Sequence, residues 1–368
     1  MSELAQPLRR LIREHGPISV ARFMALASAH PTKGYYPRRD PLGTAGDFVT
    51  APEVSQLFGE LVGLALVQHW LDIGQPPRVL VTELGPGRGT LMADALRAAR
   101  VVPGFLAAAS IHLVETSPAL RERQAAALPG LSVRWHDELA SIPEDAPLLL
   151  VANEFLDALP IRQFVRHGGG WRERLIGIDE ASAFRFILAP RATPFPEIAT
   201  EGADSLPEGT LLELGPAREA LAEALAGRLA AQGGMALLID YGSDASFMVG
   251  DTFQAVRRHL KVDPLEAPGE VDLSAHVDFR AVARRAVAAG AVAYGPVSQG
   301  DFLRRLGIGL RLQRLLERAT PEQRAALASG CARLIDPLQM GELFKVLALT
   351  SPGAPVPPGF TLQEKRQP

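Results

Sequence analysis

Three glycines at alternate positions follow an acid in Glu83-Leu84-Gly85-Pro86-Gly87-Arg88-Gly89. The residues before them, Arg78 to Glu83, form an apolar run that reads as a buried strand, and Leu91 to Ala99 reads as a helix. Glycines at the end of a strand let the backbone turn sharply and approach a ligand closely. Two phosphate signatures fail here. A dinucleotide fingerprint would need glycine at position 90, where Thr90 stands. A phosphate loop would need a lysine, but Arg88 is followed by Gly89-Thr90. Pro86 also removes an N–H that could bind phosphate.

The acids point to a cation instead. Ser110 to Glu115 reads as a second strand ending in Glu115, with Thr116 and the helix start Ser117-Pro118 after it. Leu131 to Trp135 reads as a third strand, followed by Asp137 and Glu138. Leu148 to Ala152 reads as a fourth, running into Asn153 and Glu154. Any single loop acid is most often solvated, but acids after successive strands form a set. That set suits S-adenosylmethionine, with its ammonium, sulfonium, ribose hydroxyls and adenine amine. Glu115 can accept the ribose hydroxyls, as a second-strand acid does in dinucleotide folds. Asp137 can accept from the adenine amine, and Glu83 lies where the methionine end would sit. The expected cofactor-binding residues are Glu83, Gly85, Pro86, Gly87, Gly89, Glu115, Thr116, Asp137, Glu138 and Asn153.

These residues need a scaffold, and the alternation of apolar strands with helices predicts an α/β parallel sheet covered on both faces. Met235 to Tyr241, Ala291 to Val297 and Phe344 to Thr350 read as further strands. Residues 4–29 read as helical, with Ser19 able to cap Val20 to Ala29. Residues 30–50 read as a glycine-rich loop, long enough to suggest function. Thr50-Ala51-Pro52-Glu53 has capping-box spacing. Gln163 to Ile176 reads as a hairpin inserted on the sheet, and 242–277 as irregular. Asp301 to Ala319 and Glu322 to Leu334 read as helices. The expected organisation is an N-terminal helical cap with a cofactor-covering loop over 1–75 and a core over 76–350. That core carries insertions near 160–210 and 300–335, and a proline-rich tail follows over 351–368. Glu213-Leu214-Gly215-Pro216 echoes the glycine turn but lacks its later glycines, and is expected to start a helix.

Composition agrees with a globular enzyme. The 368 residues carry 38 basic and 41 acidic side chains, a net charge of -3, so no basic field advertises nucleic acid. The lone Cys331 forms no internal disulfide and is expected in the core. No two histidines have the spacing of a helical metal site, so no metal is expected. The N-terminus has no cationic segment before an apolar run, and no apolar stretch nears the ~18 residues of a membrane helix. The sequence reading therefore expects a cytoplasmic protein without membrane insertion.

Several stretches together resemble the MidA family of class I methyltransferases, bacterial relatives of the mitochondrial complex I assembly factor that methylates protein arginine. They are Lys33-Gly34-Tyr35-Tyr36, Gly46-Asp47-Phe48-Val49-Thr50-Ala51-Pro52-Glu53-Val54-Ser55, the turn at 83–91 and Val114-Glu115-Thr116-Ser117. Asn153-Glu154-Phe155-Leu156-Asp157-Ala158-Leu159-Pro160, Asp240-Tyr241-Gly242 and Met340-Gly341-Glu342 complete the set. The resemblance implies a seven-stranded Rossmann-like sheet, S-adenosylmethionine as donor and a protein arginine as acceptor, with a complex I subunit the first place to look. A guanidinium stays charged below pH about 12, so its nitrogen is a poor nucleophile until carboxylates localise the charge. Glu154 is the first candidate for that task, then Asp157, then Asp47 from the loop. Nucleic-acid N-methyltransferases carry an Asn/Asp-Pro-Pro-aromatic segment after the fourth strand, where this chain has Asn153-Glu154-Phe155-Leu156. A small-molecule methyltransferase and a cofactor-binding assembly chaperone without turnover remain open on sequence alone.

Overall fold

The computed structural model describes residues 2–38, 50–193 and 202–367. They divide into two compact units, one of 49–156, 221–242 and 281–368, the other of 1–48, 157–220 and 243–280.

The larger unit is built on seven strands: β1 (Val79–Leu84), β2 (Ala109–Val114), β3 (Val133–His136), β4 (Leu148–Asn153), β5 (Gly234–Ser243), β6 (Val292–Ser298) and β7 (Phe344–Thr350). Their spatial order is β6-β7-β5-β4-β1-β2-β3. The first five run parallel to one another, while β7 runs antiparallel to both β5 and β6. All six residues of β1 are buried, as are the first five of β4, which is how central strands covered on both faces read. From β1 the chain winds outward to β2 and β3, and from β4 it winds the other way. The switch point therefore lies between β1 and β4, where open α/β sheets bind ligands.

Helices α1 (Gln56–Asp72), α2 (Thr90–Ala99) and α3 (Pro118–Ala127) belong to this unit. α1 packs against α2 at very short range, since a Cβ at Gly63 would stand 2.4 Å from Ala95 Cα. Leu57, Phe58, Trp70, Leu149, Val151, Leu237 and Ile239 share one hydrophobic core. Inside it, the Glu60 carboxylate is paired with Arg97 at 2.9 Å and Arg311 at 2.7 Å. The Ser117 hydroxyl caps α3 and Pro118 opens it, as expected. Cys331 is buried in the core, also as expected.

The smaller unit carries a sheet of Ile18–Ser19, Gly170–Ile178, Arg162–His167 and Leu211–Leu214, with Phe184–Leu188 pairing Gly170–Ile178. A second sheet joins Leu260–Val262, Gln254–Arg257 and Asp272–Ser274. Leu4, Leu8, Phe23, Met24, Phe253 and Leu273 form the core of this unit.

Several expectations are corrected here. The hairpin read as an insertion on the main sheet forms its own sheet, because Ile18 pairs Ile176 and Leu214 pairs Arg162. The 242–277 segment is not wholly irregular; its strands of three and four residues are too short for a period-two pattern to stand out. The helix read over 4–29 breaks at Gly16, whose φ of 84° interrupts it just before Pro17. That read over 301–319 breaks at Gly307, with φ 86°. Helix α1, read as part of an N-terminal cap, lies in the sheet unit. No helix among the described residues is long and apolar enough to cross a membrane.

Candidate active site

Register brings the ends of the parallel strands level. Leu84 stands beside Val114 and Ala152, Val114 beside His136, and Asn153 beside Ile239. Glu83, the glycine turn, Glu115, Asp137, Asn153 and Glu154 therefore share one edge of the sheet.

The turn itself is left-handed three times over, with φ of 61° at Gly85, 52° at Gly87 and 83° at Gly89. Side chains are disfavoured there by sterics. A Cβ on Gly85 would also come within 2.8 Å of the Phe155 ring. The Gly85 N–H donates to the Val114 carbonyl at 3.1 Å and the Gly89 N–H to the Pro86 carbonyl at 2.7 Å. Thr90 opens α2 and donates from its hydroxyl to Glu53 Oε1 at 2.6 Å. This corrects the capping box: Thr50 makes no side-chain cap, and Glu53 serves the glycine turn instead.

Glu83 is nearly inaccessible at 3% exposure. Burial pushes its carboxyl up to about 8, against the Met92 N–H, which favours the charged form. Its Oε2 has no hydrogen-bond partner among the described residues. Asn153 Oδ1 is likewise a buried acceptor without a donor among them.

Glu115 is buried at the end of β2, and burial raises its carboxyl above the usual range. Donors oppose that shift: the Ser117 N–H reaches Oε1 at 2.8 Å, and Gln124 Nε2 reaches Oε2 at 3.3 Å. Arg121 donates to the Glu115 carbonyl and, at 2.6 Å, to Asp137 Oδ1. Asp137, Glu138 and Thr116 are exposed.

Glu154 is half-buried with φ 50°, one of few non-glycine residues in the left-handed region. Such strain costs on the order of 1 kcal/mol and gathers at functional sites. Its N–H donates to the Ile239 carbonyl at 2.9 Å, and Oε1 accepts from the Ala51 N–H at 3.0 Å and Asn153 Nδ2 at 3.2 Å. The next turn is fixed from β5: Asp240, fully buried, accepts from the Leu156 N–H and the Tyr241 N–H, both at 2.9 Å. Sequence reading missed this positioning role, although an acid at the end of a solidly apolar strand was its available signal.

Asp157 belongs to the other unit. It is buried there, and its carbonyl accepts from Arg218 Nη2 and the Ala275 N–H, both at 3.1 Å. Nearby, the Tyr36 hydroxyl donates to Asp272 at 2.9 Å. Burial, then the carboxylates of Asp272 and Asp157, holds that phenol well above its ordinary range. Asp47 lies outside the described residues.

Two buried acceptors without donors among the described residues, Glu83 Oε2 and Asn153 Oδ1, flank a glycine turn at the switch point and fit a ligand with an ammonium and ribose hydroxyls. Residues 61–297 match the model of a family described as S-adenosyl-L-methionine-dependent methyltransferase. Over 365 residues the chain is 40% identical to mouse "Protein arginine methyltransferase NDUFAF7, mitochondrial", covering 92% of this chain and 82% of the relative. The Drosophila melanogaster homolog of that name is 41% identical over 379 residues, with coverage of 94% and 84%. The crystal structure of a Burkholderia thailandensis protein bound to S-adenosyl-homocysteine superposes with a TM-score of 0.85 at 33% identity. That match covers 99% of this chain and 95% of the other. The expected cytoplasmic placement is overturned by the mouse and fly relatives, which are named as mitochondrial proteins. The chain belongs to this family of S-adenosyl-L-methionine-dependent methyltransferases.

Proposed function

We propose that this protein methylates an arginine side chain of another protein, a respiratory complex I subunit or a similar one. The observation that carries the reading is Glu154. A half-buried carboxylate on left-handed backbone ends β4 beside the switch point, held by the Ala51 and Asn153 donors. The names of the mouse and fly relatives support a protein arginine as acceptor.

Bound S-adenosyl-L-methionine supplies an electrophilic methyl on a sulfonium. Glu83 and Asn153 would hold its amino-acid end, with Glu115 on the ribose and Asp137 and Glu138 toward the adenine. Gly85, Pro86, Gly87 and Gly89 let the turn approach it, and Thr116 lines the same edge. Glu154 would bind the guanidinium, draw its positive charge to the bound nitrogen and leave the attacking nitrogen richer in electrons. Transfer would break the methyl's bond to the sulfonium sulfur, which keeps the electron pair and leaves as a thioether, and the proton displaced from the attacking nitrogen could pass to the Glu154 carboxylate. Alignment supplies much of the rate in such a displacement. Glu154 is taken alone for that contact: Asp157 belongs to the other unit, and Asp47 lies outside the described residues.

The test is Glu154→Ala. It should keep affinity for S-adenosyl-homocysteine by calorimetry and lose methyl transfer to protein from labelled donor. Persisting transfer would remove Glu154 from the chemistry.

A further inference from the structure

The side chain of Gln124, fully buried on α3, joins three parts of the site. Its Nε2 donates to the Gly87 carbonyl at 2.7 Å and to Glu115 Oε2 at 3.3 Å. Its Oε1 accepts from the Trp135 indole N–H at 2.8 Å. An indole only donates, so it fixes which way the amide faces. With the oxygen committed to Trp135 on β3, both amide hydrogens must face the glycine turn and the acid. α3 is also seated tightly against the turn, because a Cβ on Gly89 would come 3.3 Å from Gln124 Cα. Glu115 then meets donors on both oxygens, the Ser117 N–H on one and Gln124 on the other. Its orientation is fixed before any ligand arrives, which lowers the cost of binding.

We propose that Gln124 is the positioning residue that gives this site its selectivity for a ribose, by locking Glu115 and the Gly87 carbonyl into one frame. The proposal rests on Glu115 as the acceptor of the ribose hydroxyls. An amide has the two donors and one acceptor that this place needs. An aliphatic side chain would leave the Glu115 oxygen, the Gly87 carbonyl and the Trp135 N–H without partners. A carboxylate would set an acceptor against two acceptors.

The experiment is calorimetry with S-adenosyl-homocysteine and its 2′-deoxyribose analogue, on the full chain. Wild-type protein should prefer the ribose form by about tenfold to a hundredfold, the range of one hydrogen bond to a charged group. Gln124→Met should bind S-adenosyl-homocysteine at least about tenfold more weakly, and its preference should shrink to within about threefold. A merely structural role would weaken both ligands alike and leave the ratio standing. Should the Met variant fail to fold, Gln124→Glu, of the same shape, should show the same lost ratio. A wild-type ratio that survives in either folded variant overturns the proposal alone. Equal wild-type affinity for the two ligands removes the Glu115 reading and the proposal with it.

Discussion

Glu83 carries the most specific consequence. Its carboxyl is pushed up to about 8 by burial, so most molecules are protonated there at neutral pH. If the ionised form is the one that receives an ammonium, binding must expel that proton. The ligand's α-amino group stands beside its own carboxylate and stays charged above the ~7.7–8.0 of a peptide terminus, so affinity should show an acid limb from Glu83 and a basic limb from the amine at higher pH. The ionised fraction of Glu83 is roughly 50-fold lower at pH 6 than at pH 8, and affinity should fall with it. Proton exchange is sharper still. Binding should release about 0.9 proton at pH 7 and about 0.5 at pH 8. Calorimetry of S-adenosyl-homocysteine binding, in buffers of different ionisation enthalpy, reads these numbers directly. Glu83→Gln should bind about tenfold or more weakly at pH 8, from loss of a charge-assisted hydrogen bond, and keep only the basic limb. The same group predicts a stability trend. The folded state holds a proton that the unfolded state gives up above about 4.5, so unliganded stability falls as pH rises from there to about 8. The variant should flatten that fall. Flat wild-type binding between pH 6 and 8, or an acid limb retained by Glu83→Gln, would refute the reasoning.

Three further outcomes follow. Gly87→Val puts a β-branched side chain at a φ of 52°, which costs more than about 1–2 kcal/mol, and should lower S-adenosyl-homocysteine affinity by more than about tenfold; unchanged calorimetric affinity would count against the turn. Glu154 sits at φ 50°, so Glu154→Gly should be more stable than Glu154→Ala by about 1 kcal/mol in urea unfolding, with both inactive. Glu60→Ala leaves Arg97 and Arg311 without their shared carboxylate; because both arginines keep solvent contact, the loss should be about 1–3 kcal/mol, below the ~3–5 of a fully buried pair. A melting temperature equal to wild type would show that this pairing stabilises nothing.

The sheet was legible because its chemistry is local. Val79 to Leu84, Ala109 to Val114 and Leu148 to Asn153 are apolar runs ended by acids, and glycines and a Ser-Pro cap mark where two of them give way to helices. Phe344 to Thr350 was found to the residue, though nothing in its own composition tells that it runs antiparallel. The smaller unit was harder to read. Its sheet depends on Ile18 meeting Ile176, a pairing 158 residues apart that no short-range pattern encodes. The candidate site divided in the same way. Glu83, Glu115 and Glu154 were visible as acids after strands. Gln124 and Glu53 were not, because they act through hydrogen bonds to residues distant in sequence, and Asp240, though an acid ending an apolar strand, gave no sign of the Leu156 N–H it would hold. The left-handed backbone of Glu154 was equally hidden, since glutamate gives no hint of it.

The central claim is transfer of a methyl group to protein arginine, and the direct measurement is a proteome-wide comparison of arginine methylation by mass spectrometry. Cells with the gene are compared with cells lacking it and with cells carrying Glu154→Ala. The account predicts that a methylated arginine on one protein, a respiratory complex I subunit where the organism has that complex, disappears in both altered strains. An unchanged arginine methylome, with a methylated small molecule lost instead, would contradict it.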